Sequence, residues 1–581
     1  MSTELLSQYI MTTAKYALIV LSAAIIIRCI RSMLNERYEP ELWGYLRRGR
    51  ENLQILHWEN SIGRSRFSDI RVDNPAVGRV HAILTRSDKG VWRLYDIFSK
   101  GGVWVNGVKV GENGTEVRNG DVLNLAGVVL RFLPINSEQR EALEEHRTRP
   151  GQAVSPAVTL IELTLFEAFL MLEHLVTAES EYTRAIALAF AGLMCIQWLC
   201  YCSMRFIDRT GFEVETLAFY LSALGMSVAA TSTPEDMFKQ LLLTMVGVAL
   251  FLINGWWLRN LRRTAAMRIP VAVLALALLG VNVLTSDAVF GARNWLEFGG
   301  YSFQPSEFVK AFYIYVGAST LDRLYRTKNL YTFIGFSAAC VIALALIGDF
   351  GTALIFFVSF LIISFMRSGS IATVLLAVSG AGLAGFLAVS VKPYIAQRFA
   401  TWGHVWEDIY DKGFQQTRAL SAAASGGLFG KGAGEGWLET IFAANTDMVF
   451  ALICEELGLI IGLCMVMAVL TLAFFAVRSA RQGRSAYHAI AACAAMSMLL
   501  VQLALNVFGS LDILPFTGVT FPFVSRGGSS LLSCWMMMAY IKSADNRRSA
   551  SFAVNAVKRI AEDEEEDEED YDGGYFPEDD I

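Results

Sequence analysis

A polytopic α-helical membrane protein carrying one small all-β domain is the fold class this sequence predicts, and three observations predict it. Of 581 residues, 54 % are hydrophobic and 18 % charged, and the apolar residues gather into repeated runs long enough to cross a bilayer. From about Leu53 to Leu133 the runs shorten to alternating segments such as VWRLYDIF and VWVNGVKV, the signature of half-buried strands. Basic residues fall in alternate gaps between the long runs, as cytoplasmic loops require. The net charge of −6 hides this, because Glu562 to Asp580 holds thirteen acidic residues and no basic one, and the remainder carries +7. No nucleic-acid partner is expected. Eight of the nine cysteines, Cys195, Cys200, Cys202, Cys340, Cys454, Cys464, Cys493 and Cys534, lie inside apolar runs without metal-ligand pairing, so they read as packing residues.

Residues 1–35 form an N-terminal anchor. Its apolar run from Tyr9 to Ile27 is followed by Arg28 and Arg31, which places the N-terminus outside and argues against a cleaved signal peptide. Residues 45–136 are the β domain, with Asn106-Gly107 and Asn119-Gly120 as hairpin signals. The segments SIGRSRFSDIRVDNPAVGRVHAIL and DIFSKGGVWVNG resemble a forkhead-associated (FHA) domain, which implies a β-sandwich reading phosphothreonine through its loops. The resemblance makes Arg64, Arg79 and Asn106 the phosphopeptide contacts and His81 a loop buttress. Gly78, Gly101 and Val103 depart from the family's serine, asparagine and threonine, which leaves two readings open, phosphothreonine binding or docking without phosphate.

Residues 137–155 are charged, end in Gly and Pro, and read as a linker. Two further spans follow in 156–212, at 157–176 and 183–205. Ten more lie at 215–232, 237–257, 268–286, 306–321, 331–347, 350–366, 371–391, 447–477, 486–508 and 527–544, making about thirteen transmembrane helices. With the first span entering from outside, Arg259, Arg262, Arg263, Arg323, Arg326, Arg478, Arg481 and Lys542 fall in cytoplasmic loops, as do the β domain and the tail. Residues 546–581 read as an acidic disordered tail.

This topology gathers four polar stretches at the extracytoplasmic boundary. In ARNWLEFGGYSFQPSEFVK, Glu307 and Lys310 are three apart on one helical face inside the membrane, either a site pair or a buried ion pair that orients helices. In GDFGTA, Asp349 stands at a helix N-terminus and reads as a cap. The third stretch, Gly413 to Asp447, is Gly-rich, so its backbone can approach a ligand closely, and Arg418 and Lys431 supply cations. Asp447 ends it where the chain re-enters the apolar phase, with Glu455 and Glu456 two turns deeper. The fourth, LPFTGVTFPFVSRGGSS, reads as a re-entrant segment, which membrane depth tolerates only beside a cavity. A carboxylate at such a boundary is partly desolvated, which raises its pKa and makes it a stronger base.

Together these stretches resemble the SEDS family (shape, elongation, division and sporulation) of RodA/FtsW-type peptidoglycan glycosyltransferases, over residues 213–545 and the ten spans they contain. The resemblance implies a multi-pass protein of the bacterial cytoplasmic membrane that polymerises lipid II, a disaccharide-pentapeptide on undecaprenyl pyrophosphate, into glycan strands at the outer face. It makes Asp447 of Thr446-Asp447 the catalytic residue. The substrate contacts expected from the four stretches are Arg293, Trp295, Glu307, Lys310, Gln415, Arg418, Lys431, Glu455, Ser525 and Arg526. Arg418 and Arg526 depart from the family's glutamine and tyrosine, adding positive charge near a pyrophosphate. The family also implies a divalent cation (Mg or Mn) at that pyrophosphate, although the sequence holds no metal-ligand spacing, and a class B penicillin-binding protein as partner. A phosphoprotein or Ser/Thr kinase would be the partner of the FHA-like domain. The alternative is a lipid II flippase or transporter, which should carry polar groups to both faces.

Overall fold

The computed structural model describes residues 3–545 apart from 36–40, 67, 88–89, 98, 112, 137, 140–142, 144–153, 207–210, 287–293, 299–300, 322–326, 369–370, 392 and 482–484. The acidic tail and most of the linker therefore lie outside the described residues.

The β domain is a two-sheet sandwich. One sheet has the order β2 (Glu51–Ile55), β1 (Gly44–Arg48), β11 (Val128–Pro134), β10 (Val122–Leu125), β7 (Val103–Val105), β8 (Val108–Lys109). The other runs β4 (Ile70–Arg71), β3 (Glu59–Gly63), β5 (Ala82–Arg86), β6 (Trp92–Asp96), β9 (Thr115–Val117), with only β3 and β4 parallel. Alternation decides which faces meet. In β11, Val128, Leu130 and Phe132 are buried while Val129 and Arg131 face outward, so the period-2 pattern supplies one wall of the core.

The two Asn-Gly signals part company. Asn106 (φ 50°) and Gly107 (φ 83°) form the left-handed pair of a tight hairpin between β7 and β8. Asn119-Gly120 makes no hairpin, because β9 and β10 belong to different sheets. The chain turns a corner there, with the Arg118 amide donating to Asp121 Oδ2 at 2.7 Å.

The helical body begins with α1 (Thr3–Asn35), α2 (Pro156–Thr177), α3 (Thr183–Phe206), α4 (Glu213–Ser232), α5 (Met237–Leu258), α6 (Leu261–Ala266) and α7 (Arg268–Thr285). After a two-strand ribbon, β12 (Leu296–Phe298) and β13 (Tyr301–Phe303), come α8 (Pro305–Leu321), α9 (Thr327–Ile347), α10 (Phe350–Ser368), α11 (Ile371–Val391) and α12 (Pro393–Thr401). The last group is α13 (Phe414–Gly426), α14 (Val449–Glu456), α15 (Leu459–Arg481), α16 (Ala486–Ser510) and α17 (Gly528–Ser543). Twelve of the thirteen apolar runs each fall on one helix, and among the described residues eight helices are long and apolar enough to cross a membrane. α8, for example, has only 17 residues and carries Glu307 and Lys310. The α4 helix is apolar on nearly every face and is buried almost throughout, as the central helix of a bundle must be.

Charged contacts mark the two ends of this bundle. At one end Arg28 pairs with Glu162 at 2.7 Å, Ser32 donates to Glu213 at 2.6 Å, and Lys542 pairs with the buried Glu215 at 3.0 Å. At the other lie the segments 402–447 and 511–526 with the entry to α8. The predicted polar stretches thus share one end, opposite to Arg28 and Lys542.

The structure corrects the span predicted at 447–477. The run breaks into α14 and α15 at Gly458 (φ 92°), where an added Cβ would lie 2.5 Å from the Gly430 nitrogen and the Leu428 carbonyl. Gly458→Ala should therefore destabilise the protein by more than the ~1 kcal/mol that the same change contributes as stabilisation at a compatible site, and a lowered midpoint in a thermal melt in detergent reads it.

Candidate active site

The turn Asn445–Asp447 is pinned by its backbone. Asn506 on α16 donates through Nδ2 to the carbonyls of Asp447 (3.0 Å) and Val519 (2.9 Å), and Ser510 donates to Asp447 O at 3.3 Å. From the re-entrant segment, the Arg526 amide donates to Asn445 O at 2.8 Å and the Ser525 hydroxyl donates to Thr446 O. With its carbonyls held from two sides, the turn leaves the Asp447 carboxylate facing Gly518, whose added Cβ would sit 3.2 Å from Oδ2. Gly518 has φ 69°, so a side chain there would be both strained and in the way.

Two other charged groups act on that carboxylate. Arg398 of α12 is exposed, donates to the Thr517 carbonyl at 3.4 Å, and attracts the ionised form. Asp349 repels it. Burial, with Asp349 acting in the same direction, outweighs the Thr446 hydrogen bond and Arg398 and pushes the Asp447 pKa up to about 6. Asp349 caps α10, its Oδ1 accepting from the Thr352 amide at 2.9 Å, while Oδ2 accepts from Gln304 Nε2 at 3.3 Å. The site is thus a carboxylate with a raised pKa, a second carboxylate and an exposed guanidinium, at the end of the bundle where the re-entrant segment lies.

Several expected substrate contacts have partners within the protein. Glu307 and Lys310 form a 2.7 Å pair, with Lys310 fully buried. Lys431 donates to Glu455 Oε1 at 2.7 Å, and Glu455 Oε2 accepts from the amides of Trp437 and Leu438 at 3.2 and 3.0 Å. Lys431 and Glu455 thus form an ion pair, and the wholly buried Glu455 is answered by each of those donors. Ser525 is buried and uses its hydroxyl on the turn. Arg526 pairs with Asp236 before α5. Gln415 bonds the Phe442 carbonyl at 3.0 Å, and Arg418 lies over the Phe414 ring at 5.2 Å. Trp295 is exposed beside β12, and Arg293 lies outside the described residues.

The glycines of the long stretch are also reassigned. An added Cβ at Gly426 would come within 2.1 Å of the Cys454 carbonyl, and at Gly430 within 2.2 Å of the Glu456 carbonyl. The close approach they permit is to α14 of the same chain. Arg398 and Asn506 were not foreseen, yet an amide inside the run LALNVFG was a signal of its own, since polar groups at that depth are rarely idle.

In the β domain, Arg64 and Arg79 are exposed on adjoining loops joined by the Arg64 amide and the Gly78 carbonyl at 2.9 Å. Asn106 has partners within the domain. Its carboxamide donates to Asp121 at 2.8 Å and accepts from the Val122 amide at 2.9 Å, so both ends serve the hairpin. His81 is a buttress, accepting from the Gly78 amide at 2.9 Å and donating to the Gly102 carbonyl at 3.0 Å. Gly78→Ser should be tolerated, because its Cβ would meet nothing nearer than 3.4 Å, whereas Gly101→Asn should unfold the domain readily, its Cβ falling 2.3 Å from Ala126 Cβ. Melts of the two full-length variants would separate them.

Fold and site together define a polytopic membrane protein with a poised carboxylate at one end of its helical bundle. The chain belongs to the FtsW/RodA/SpoVE family of cell cycle proteins, whose model matches residues 212–550, and residues 60–126 match the FHA domain. It is 29 % identical over 326 residues to peptidoglycan glycosyltransferase RodA of Mycobacterium tuberculosis, spanning 52 % of this chain and 69 % of that one. It is 31 % identical over 309 residues to stage V sporulation protein E of Bacillus subtilis, spanning 50 % and 82 %. A solved structure of a peptidoglycan synthase complex aligns with a TM-score of 0.48 and 24 % identity, over 58 % of this chain and 98 % of that one.

Proposed function

We propose that this chain is a peptidoglycan glycosyltransferase that polymerises lipid II at the outer face of the bacterial cytoplasmic membrane, with Asp447 as general base. The observation that carries the reading is the partly buried Asp447 carboxylate, raised to about pKa 6, beside an exposed arginine. Family membership and the glycosyltransferase names of its relatives support the activity class. Asp447 takes the proton of the acceptor sugar hydroxyl as its oxygen attacks the donor's anomeric carbon with inversion. The C–O bond to undecaprenyl pyrophosphate breaks, and Arg398 offsets charge on the leaving group.

The positive-inside bias puts the end carrying Arg28 and Lys542 in the cytoplasm and the site outside. Among the described residues no group of three His, Cys, Asp or Glu side chains is arranged to hold a metal ion. Asp447 and Asp349 offer hard oxygen donors, so a Mg or Mn ion would be held by them and the substrate's pyrophosphate, and would supply charge neutralisation. A class B penicillin-binding protein is the expected cross-linking partner, and the exposed Arg64 and Arg79 keep a phosphoprotein or Ser/Thr kinase as the partner of the β domain.

The test is polymerisation of labelled lipid II by purified protein with its transpeptidase partner. Polymer from the wild type and none from Asp447→Asn is the expected result. Lipid scrambling without polymer would transfer the reading to a flippase.

A further inference from the structure

We propose that the two N-terminal helices flanking the β domain, α1 and α2, are a clamp that holds the loop 430–434 and through it the catalytic turn, with Lys15, Glu173 and Thr177 as positioning residues. Both helices precede the stretch that matches the family model, residues 212–550.

The contacts run in series. Lys15 on α1 donates through Nζ to the carbonyls of Gly430 (2.7 Å) and Lys431 (3.3 Å). Glu173 on α2 accepts the Ala433 amide at 3.1 Å, and the Thr177 hydroxyl donates to the Ala433 carbonyl at 3.0 Å. Tyr16 meets Phe429 edge-on, ring centroids 5.5 Å apart. The loop in turn is bonded to α14, the Lys431 amide to Glu455 O at 2.9 Å and the Gly432 amide to Glu456 O at 2.8 Å. α14 is eight residues long and begins at Val449, two residues after Asp447. A displacement of the loop therefore reaches Asp447 through one rigid two-turn helix.

The cost of these groups is a second argument. A lysine within an apolar span is expensive, and a carboxylate buried in α2 more so. Neither is needed to hold α1 against α2, which are in contact and contribute Leu18, Ile25, Leu163 and Phe166 to the apolar core. Both polar heads converge instead on one backbone loop, where Gly430, Gly432 and Gly434 take φ of 77°, 131° and 75°. The β domain lies between α1 and α2 in sequence, so the clamp also joins the loop to that domain.

The proposal extends the polymerase reading, and hydrogen exchange on the full-length protein tests it without relying on activity. Lys15→Met and Glu173→Leu should each speed exchange of the amides of residues 431–433 and of α14 by on the order of tenfold, with exchange in α16 unchanged. Lys15→Arg, which keeps a donor, should exchange like the wild type. In the polymerisation assay kcat should fall by on the order of tenfold or more with KM for lipid II unchanged, as for a misplaced catalytic group. Unchanged exchange in both variants would overturn the clamp, and faster exchange with an unchanged kcat would overturn its positioning role. An inactive wild type would remove the polymerase reading and leave exchange alone to decide.

Discussion

Asp447→Asn should reduce lipid II polymerisation by a factor of ~10²–10⁴, the range expected when a general base is removed. Wild-type activity should rise with pH through about 6 and then level off, because burial keeps the carboxyl protonated, and so unable to accept the sugar proton, below that value. Stability should move the opposite way. The folded-state pKa lies above the ordinary 3.8, so between about pH 4 and 6 the folded protein binds the extra proton and this contribution is lost as pH rises. At pH 7 the asparagine variant, relieved of a half-buried charge, should be more stable by about 1–3 kcal/mol. A pH–rate profile and a melt of the variant check both signs. An inactive variant that also melts earlier would attribute the loss to folding and remove the base assignment.

Lys310→Met should destabilise the protein by ~3–5 kcal/mol, since it leaves Glu307 buried without its only ion-pair partner among the described residues. Glu307→Gln with Lys310→Met should recover most of that loss, because two neutral groups replace a pair whose desolvation was costly. The measurement is the thermal midpoint of both in the same detergent. A double variant as unstable as the single would show that the charges hold α8 through contacts other than each other.

Much of the architecture was legible before any coordinates. Runs of apolar residues located the helices, alternation located the strands, and the polar stretches came together at one end. The 447–477 run was misread because a hydropathy window does not see that Gly458 must take a left-handed φ and admit the Gly430 backbone. Asn119-Gly120 misled for a related reason. The dipeptide encodes a turn, but which sheet the next strand joins is settled by strands far away in sequence.

The candidate site divides in the same way. Asp447 was visible from its place at the end of a polar stretch, and Asp349 as a cap from the residues beside it. Whether a cation was free was not visible. Lys431 finds Glu455 24 residues on, and Arg526 finds Asp236 290 residues back. By itself the sequence determined where most apolar helices lie, where the chain turns and which acid ends the long polar stretch, because period, hydropathy and turn chemistry act over a few residues. Only the tertiary structure decided which charges were already paired and that Arg398 was left beside the acid, because a buried ion pair is chosen by which desolvated groups the whole packing brings within reach.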